Sequence, residues 1–294
     1  DYKLINTTLK ELRHAMRVFV SYRNIHKVVI FGSARMEESN PNYQMASELA
    51  EALVRHGLMV VTGAGGGIME AGIRGAGREN SFGINIQLPF EQKASPYIVN
   101  DPKLMNFKYF FTRKLIFIKE TNATALFPGG FGTQDEGFEN LTLFQTGKSR
   151  PRPIVLIESP GGNYWSSWID YVRSHLLKDN YLSEQDLKLF HRSTSVEDAV
   201  GYIREFYRVY HSLRYVGKQT VLRFTKEIPP SLLEKLNEEF QDILTEGSIK
   251  ISPPLGKEID GNELLELPRL VLHFNKRSFG RLNEMIRLIN RSCE

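Results

Sequence analysis

Short apolar runs without polar alternation recur along this chain, and segments of helical periodicity separate them. The runs lie at 28–31, 58–61, 83–86, 123–127 and 153–157. The first run ends in Gly32, and the segment 45–54 behind it repeats apolar residues at i, i+3 and i+4 until Gly57 ends the helix. Strands that are apolar on both faces, interleaved with helices, are typical of a parallel sheet covered by helices on both sides.

We therefore expect an α/β fold, a Rossmann-like doubly wound parallel sheet, over residues 1–212. A leading helix opens this domain. Its apolar stripe contains Leu9, Met16, Phe19 and Val20, which indicates that one face packs against the rest of the domain.

The last part of the chain, 213–294, predicts a small separate α+β domain. Its pattern indicates a βαββα order, with strands at 220–224, 248–251 and 270–274, one helix after Pro230 and a second at the C-terminal end. About 80 residues is near the lower size for independent stability, so we expect this domain to dock on the first one or to pair across a dimer. Two roles stay open for it, a structural appendage and a module for effector binding or subunit contact.

Composition limits the class of partner. The chain has 294 residues, of which 41% are hydrophobic, enough to bury a core, and its net charge of +4 comes from scattered basic residues. We expect no nucleic acid or membrane partner, and anionic small molecules stay in play. No apolar run approaches the length of a membrane span, and no signal-peptide pattern is present. The single Cys293 and the absence of metal-binding histidine motifs predict no disulfide, no metal and a cytoplasmic location.

Three glycine-bearing turns follow predicted strands: FGSAR (31–35), TGAGGGIME (62–70) and PGGFGT (128–133). In doubly wound sheets, ligands bind outside the carboxyl ends of the strands, where the strand order reverses. Glycine lets the backbone approach an anion, and the unpaired N–H groups that open the next helix attract phosphate. None of the turns has a Walker A sequence or a complete dinucleotide fingerprint, which argues against NAD. Turns between strand and helix need some glycine anyway, so a structural interpretation stays open, chiefly for FGSAR.

The segment PGGFGTQDE, residues 128–136, allows two interpretations. Thr133 and Glu136 have the spacing of a capping box, in which each side chain bonds the backbone N–H of the other residue. Alternatively, a helix that begins near Thr133 directs the N–H groups of 130–133 at a phosphate and places Glu136 on the same face as Gly132. Asp135 is then rotated by ~100° from Glu136. This geometry favours Glu136 as the working carboxylate.

Residues 27–204 resemble the LOG (Lonely Guy) proteins, nucleotide 5′-monophosphate phosphoribohydrolases that are often labelled lysine decarboxylases. The resemblance rests on PGGFGTQDE, which matches the family signature PGGxGTxxE, and on the pair Arg113-Lys114 before it. The family more often carries Glu where Asp135 stands. The turn GAGGGIME and the long C-terminal part are more similar to the larger bacterial branch than to the short plant enzymes.

The resemblance implies that the chain hydrolyses the N-glycosidic bond of a nucleoside 5′-monophosphate to free base and ribose 5-phosphate, without a cofactor. It implies Glu136 and Arg113 as catalytic residues, and it leaves the base open between cytokinins and purines. Glu70 is expected either to bind ribose or to complement the dipole of its helix. The phosphate- and ribose-binding residues expected in this way are Ser33, Gly63, Gly65, Gly66, Gly67, Glu70, Lys114, Gly129, Gly130, Phe131, Gly132 and Thr133.

Other functions and placements stay open beside this one. A non-catalytic carrier of a nucleotide or of the molybdenum cofactor, a pterin phosphate, is the alternative, because such carriers use a similar PGG turn. Lysine decarboxylation would need pyridoxal phosphate on a lysine, and no sequence feature supports that lysine. The aromatic residues within 107–111 are expected either in the core or stacked on a base, and Met45 and Met69 are expected in the core.

The segment around Arg113 carries more apolar residues than one amphipathic stripe needs, namely Phe110, Phe111, Leu115, Ile116 and Phe117. We therefore expect at least a homodimer, in which the neighbouring chain completes each pocket, as the resemblance also implies. The alternative is that this helix is buried inside a single chain.

Overall fold

The structure is a computed structural model that describes residues 1–88, 94–262 and 264–293. The chain forms two compact units, each built from three segments. The first unit comprises Asp1–Asn140, Pro153–Ser174 and His191–Val200, and the second comprises Leu141–Arg152, His175–Phe190 and Gly201–Glu294.

A seven-stranded parallel sheet forms the centre of the first unit. Its strands are β1 (Lys27–Phe31), β2 (Met59–Thr62), β3 (Ser81–Ile86), β4 (Leu104–Phe107), β5 (Ala123–Leu126), β6 (Ile154–Ile157) and β7 (His191–Ser193). They follow the order β4-β3-β2-β1-β5-β6-β7, and all neighbouring pairs are parallel. Every residue of β1, β2, β5 and β6 is buried, as expected for strands that helices flank. The predicted α/β fold is confirmed.

Helices precede or connect these strands. They are α1 (Tyr2–Val20), α2 (Pro41–Arg55), α3 (Ile68–Ala76), α4 (Phe110–Glu120), α5 (Phe131–Gln145), α6 (Tyr164–Tyr171) and α7 (Val196–Phe206). Among the described residues, no helix combines the length and apolar character that a membrane crossing requires.

The strand order reverses between β1 and β5, which are neighbours in the sheet although three strands separate them in sequence. Phe31 at the end of β1 lies in register with Leu126 at the end of β5. The turns after these two strands, and the turn after β2, therefore lie side by side at the carboxyl edge of the sheet. In doubly wound folds this is the position at which ligands bind.

The two edge strands were not expected from the sequence. In β4, Asn106 is exposed and Leu104 is only half-buried, so the strand lacks the continuous apolar run that marks the central strands. Strand β7 has three residues, two of them charged or ionisable. Edge strands need less apolar surface because they have one neighbouring strand instead of two.

The second unit contains a four-stranded antiparallel sheet in the order β10-β11-β9-β8, with strands β8 (Tyr210–Val216), β9 (Gln219–Phe224), β10 (Leu244–Ile251) and β11 (Arg269–Phe274). Its later helices are α8 (Pro230–Glu239), α9 (Gly256–Asp260) and α10 (Phe279–Ser292). This confirms a small α+β layer, to which the structure adds β8. Strands β8 and β9 form a hairpin, and Gly217 in its turn has a φ of +60°, which favours glycine.

Candidate functional site

A cavity of about 660 Å³ opens at the carboxyl edge of the sheet, among the turns that follow β1, β2 and β5. Its volume is within the range of sites for small molecules and cofactors. Nine of the fourteen expected catalytic and binding residues line it, namely Ser33, Gly63, Gly65, Arg113, Gly130, Phe131, Gly132, Thr133 and Glu136, and Asp135 lines it as well.

The backbone of Ser33 joins the three glycine turns. Its N–H donates to the carbonyl of Pro128 (3.0 Å), and its carbonyl accepts from the N–H of Ile68 (3.0 Å) at the start of α3. A Cβ atom on Gly67 would lie 2.2 Å from the Ser33 carbonyl oxygen, and one on Gly129 would lie 2.9 Å from the Ser33 nitrogen. Gly67 and Gly129 are therefore required for close packing of the turns, and neither lines the cavity.

Helix α5 begins at Phe131, two residues earlier than expected. The N–H of Gln134 donates to the carbonyl of Gly130 (3.1 Å) in the first turn. The N–H groups of residues 130–133 consequently have no acceptor within the helix, as at any helix start. Thr133 is the third helical residue and not the N-cap, so the capping-box interpretation is wrong. A Cβ atom on Gly130 or Gly132 would meet no atom within 4 Å, so both glycines border open space.

Glu136 lies in α5 at the inner wall of the cavity. Its side chain is only 8% exposed, and its Oε2 atom is buried without a hydrogen-bond partner among the described residues. Burial raises the pKa of Glu136 to about 7, although the positive charges of Lys114 and Arg113 act to lower it. The side chain is therefore divided between its acid and carboxylate forms near neutral pH, which suits proton transfer.

Arg113 reaches the cavity from α4. Its Nε donates to the carbonyl of Ile84 (2.9 Å), and its guanidinium lies 5.1 Å from the centre of the Phe117 ring. Burial lowers the pKa of Arg113, and the nearby Glu136 opposes this change. A Cβ atom on Gly63 would lie 2.5 Å from an Nη atom of Arg113, so glycine at position 63 leaves room for the guanidinium.

Lys114 lies beside the site and outside the cavity lining. Its Nζ is 2.8 Å from Glu139 and 2.9 Å from Asp135, and 3.9 Å from Oε2 of Glu136. Burial acts to lower the pKa of Lys114, but the hydrogen bonds to Glu139 and Asp135 outweigh it and the pKa is raised. Lys114 thus connects α4 to α5 as a cation, in a position that differs from the expected phosphate contact.

Gly66 and Glu70 also lie outside the cavity lining. A Cβ atom on Gly66 would lie 3.3 Å from the carbonyl oxygen of Ala34, which indicates a packing role like that of Gly67. Glu70 is an acidic residue in the first turn of α3, where it complements the helix dipole. Met69 was expected in the core, but it is half-buried and lines the cavity, because the first turn of α3 faces the open edge of the sheet.

Two polar lining residues, Arg35 and Asn85, were not expected in the site, and a third residue, Phe110, was expected either in the core or stacked on a base. Arg35 is exposed at the end of the FGSAR turn, Asn85 lies on β3, and Phe110 opens α4. The Asn85 amide donates to Oδ1 of Asn106 (2.9 Å), which orients it. The position of Arg35 within FGSAR was a usable signal, whereas nothing in the β3 sequence distinguishes Asn85.

The cavity has one polar and one apolar side. Free N–H groups, Glu136 and Arg113 form the polar side, and Ile86, Leu88 and Phe110 contribute apolar surface. This combination fits a ligand with an anionic group and a flat or apolar group. No cluster of three metal-binding side chains occurs in the described ranges.

Several solved structures resemble this chain at low identity. The structural-genomics protein TM1055 shares 24% identity over 62% of this chain and 99% of its own, with a TM-score of 0.44. A molybdenum cofactor binding protein of the phototrophic bacterium Rippkaea orientalis shares 14% identity over 62% and 96%, with a TM-score of 0.44. The molybdenum cofactor carrier protein of Chlamydomonas reinhardtii shares 19% identity over 62% and 98%, with a TM-score of 0.41. No curated protein matches the sequence.

A family model described as "Possible lysine decarboxylase" matches residues 61–203. This span contains the second glycine turn, the pair Arg113-Lys114 and the whole segment 128–136. Over these residues the chain therefore matches the possible lysine decarboxylase family, which is also called the LOG family.

Proposed function

We propose that this protein hydrolyses the N-glycosidic bond of nucleoside 5′-monophosphates and releases a free base and ribose 5-phosphate. One observation carries the proposal: the first residues of α5, whose N–H groups have no acceptor within the helix, line the same cavity as the buried Glu136. The N–H groups are suited to binding an anion. The Glu136 carboxyl is suited to stabilising positive charge that develops about one helical turn away from that anion.

The proposed chemistry assigns a separate task to each side of the cavity. The N–H groups of 130–133 hold the 5′-phosphate, and Arg113 contacts the phosphate or the ribose hydroxyls. The C1′–N bond breaks through an oxocarbenium-like transition state, which a Glu136 carboxylate stabilises. Water adds to C1′ as the bond to the base breaks. Glu136 takes a proton from that water, the departing base nitrogen takes a proton from solvent, and Glu136 then returns its proton to solvent.

The lysine decarboxylase described by the family model fits this site less well. A lysine that forms a Schiff base must lose its proton readily, so its pKa is lowered by burial or by neighbouring cations. The described lining of the cavity includes no lysine, and the nearby Lys114 has a raised pKa because Glu139 and Asp135 pair with it. The hydrolase proposal uses the groups that face the cavity.

The test is a panel of nucleoside 5′-monophosphates, with release of free base followed by chromatography. We expect turnover of the monophosphates and little turnover of the matching nucleosides, because the phosphate supplies the binding energy that orients the ribose. Equal hydrolysis of the nucleosides would contradict the phosphate site.

Two matched variants test the carboxylate. Glu136→Gln should lower kcat by at least about 100-fold, the scale of a lost general acid or base, and should leave phosphate binding in place. Asp135→Asn removes a half-exposed partner of Lys114 and should change kcat by less than about fivefold. Tight nucleotide binding without any hydrolysis in the wild type would favour the carrier alternative instead.

A further inference from the structure

We infer that Tyr164 is a positioning residue for the anion site: its hydroxyl fixes the peptide unit between Gly129 and Gly130, so that the Gly130 N–H faces the cavity. The inference rests on the proposed function, because it assigns Tyr164 a part in holding the substrate phosphate. Tyr164 lies at the start of α6 and does not line the cavity.

The hydroxyl of Tyr164 makes two hydrogen bonds to the turn after β5 and to the helix that follows it. It donates to the carbonyl oxygen of Gly129 (2.5 Å) and accepts from Nε2 of Gln134 (2.6 Å). Both of its strong hydrogen-bonding directions are therefore used within the segment 128–134, which carries the free N–H groups.

The bond to Gly129 determines the direction of the next N–H group. The Gly129 carbonyl and the Gly130 N–H belong to one planar trans peptide, and in such a unit they point in opposite directions. When Tyr164 holds the carbonyl on one side, the Gly130 N–H is directed to the other. Gly130 lines the cavity whereas Gly129 does not, in agreement with this direction.

A glycine pair needs such a restraint more than other sequences do. Neither residue has a side chain that limits rotation of the peptide unit between them, and glycine reaches positive and negative φ with similar ease. A Cβ atom on Gly130 would meet nothing within 4 Å, so local packing does not restrain this residue either. The hydroxyl of Tyr164 supplies a restraint at the carbonyl.

Neighbouring residues hold both the backbone and the ring of Tyr164 in place. Its backbone N–H donates to Oε2 of Glu158 (2.8 Å), a carboxylate buried to 1% exposure at the end of β6. Arg192 on β7 donates to Oε1 of the same carboxylate through Nε (3.1 Å) and Nη2 (2.9 Å). The Tyr164 ring packs edge-on against buried Trp165, with ring centres 4.9 Å apart. The Tyr164 hydroxyl therefore extends from a restrained backbone and ring toward the turn after β5.

The experiment measures binding of inorganic phosphate by calorimetric titration and the steady-state kinetics of a nucleoside 5′-monophosphate. Tyr164→Phe keeps the ring and removes the hydroxyl. We expect phosphate binding to weaken roughly tenfold, the scale of one lost hydrogen bond, and KM to rise by a similar factor. The kcat value should change less, because Glu136 is untouched. Tyr171→Phe, on the same helix and half exposed, is the matched control and should leave both values unchanged.

A second variant separates the two bonds of the hydroxyl. Gln134→Ala keeps the bond to the Gly129 carbonyl, so phosphate binding should stay within about twofold of the wild type. Loss of affinity in Gln134→Ala equal to that in Tyr164→Phe would overturn the inference. So would a Tyr164→Phe protein that melts at a lower temperature but binds phosphate as tightly as the wild type. If the wild type binds neither phosphate nor nucleotide, the proposed function fails and this inference fails with it.

Discussion

At Glu136, the buried environment that suits the proposed chemistry also lowers the stability of the folded protein. Its carboxyl is buried, one oxygen has no hydrogen-bond partner among the described residues, and the cost of charging it there exceeds the help from Lys114 and Arg113. The same oxygen can accept a hydrogen bond from a ligand. A group with this environment destabilises the folded protein whenever it is ionised.

This opposition predicts that Glu136→Gln stabilises the protein at alkaline pH. The pKa of Glu136 is about 7 in the folded state, against 4.5 for the ordinary group. Between these values the folded state binds more protons than the unfolded state, so the free energy of unfolding falls as pH rises through this window. Above pH 7 the full penalty applies, up to about 3 kcal/mol. The variant has no such penalty.

Urea denaturation at pH 5 and pH 8 checks this prediction. The stability gain of Glu136→Gln over the wild type should grow by about 2 kcal/mol between the two pH values. Glu51→Gln, an exposed glutamate on α2, controls for the loss of one surface charge. The same gain at both pH values would show that titration of Glu136 is not the cause.

At the scale of elements, α1 fixes the start of the helix that carries Arg113. Glu11 on α1 accepts the Lys108 N–H through Oε1 (2.7 Å) and the Thr112 hydroxyl through Oε2 (2.5 Å). Lys108 precedes the N-cap residue Tyr109, so Glu11 holds the segment that leads into α4, and its charge complements the positive end of the dipole of α4. Arg113 follows Thr112 directly, so this contact also bears on the geometry of the site.

We therefore predict that Glu11→Ala lowers the free energy of unfolding by about 1 kcal/mol, the usual net contribution of a hydrogen bond. We also expect a lower kcat, because the first turn of α4 would then hold Arg113 less firmly. Chemical denaturation and steady-state kinetics measure the two effects. Lys10→Ala, at the neighbouring exposed position, is the control. Unchanged stability in Glu11→Ala would mean that the bonds of Glu11 to Lys108 and Thr112 contribute nothing to stability.

The central strands could be predicted from the sequence, whereas the edge strands and the start of α5 could not. Strands β1, β2, β5 and β6 were predictable because strands buried on both faces need uninterrupted apolar runs. Strands β4, β7 and β8 were missed, because strands at the edge of a sheet tolerate polar residues such as Asn106 and His191. The start of α5 was misplaced because Thr133 has the character of a cap although the turn already ends at Gly130.

The features of the candidate site were likewise predictable from the sequence only in part. The glycine turns mark the carboxyl edge of the sheet in the sequence itself, because their glycine density exceeds what turning requires. That Arg113 and Glu136 lie close together was expected only from the family resemblance, because the folded sheet brings their two segments together and no local sequence pattern does. The contact of Tyr164 with Gly129 joins residues 35 positions apart and has no local pattern at all. Sequence periodicity indicates elements, and it does not indicate which side chains meet between them.

At the scale of the whole molecule, the first unit exposes several apolar side chains on α4 and α5. Phe110, Phe111, Leu115 and Phe138 are each between 42% and 54% exposed, and Phe131 is 96% exposed. Single exposed apolar residues are ordinary, but five on two helices, of which Phe110 and Phe131 line the cavity, indicate a contact surface. We propose a twofold homodimer through α4 and the start of α5.

The dimer predicts a specific effect of Leu115→Glu, which places like charges opposite each other across a twofold axis. Light scattering on the full chain should give twice the chain mass of 33.7 kDa for the wild type and one chain mass for the variant. Hydrolysis should fall together with the mass if the neighbouring chain completes the pocket. Ile251→Glu alters an exposed residue of the second unit and should leave the dimer intact. Dissociation by Ile251→Glu alone would move the interface to the antiparallel sheet.

The position of Ser33 bears on how such a site can change during evolution. Its main-chain N–H and carbonyl join the turns after β1, β2 and β5, whereas its side chain only accepts a local bond from the Arg35 N–H (3.2 Å). Replacing the Ser33 side chain therefore leaves the main-chain hydrogen bonds between the three turns in place. Since residue 33 also lines the cavity, it can acquire new contacts at little structural cost. A saturation library at this single codon is an economical starting point for changing the ligand preference of the protein.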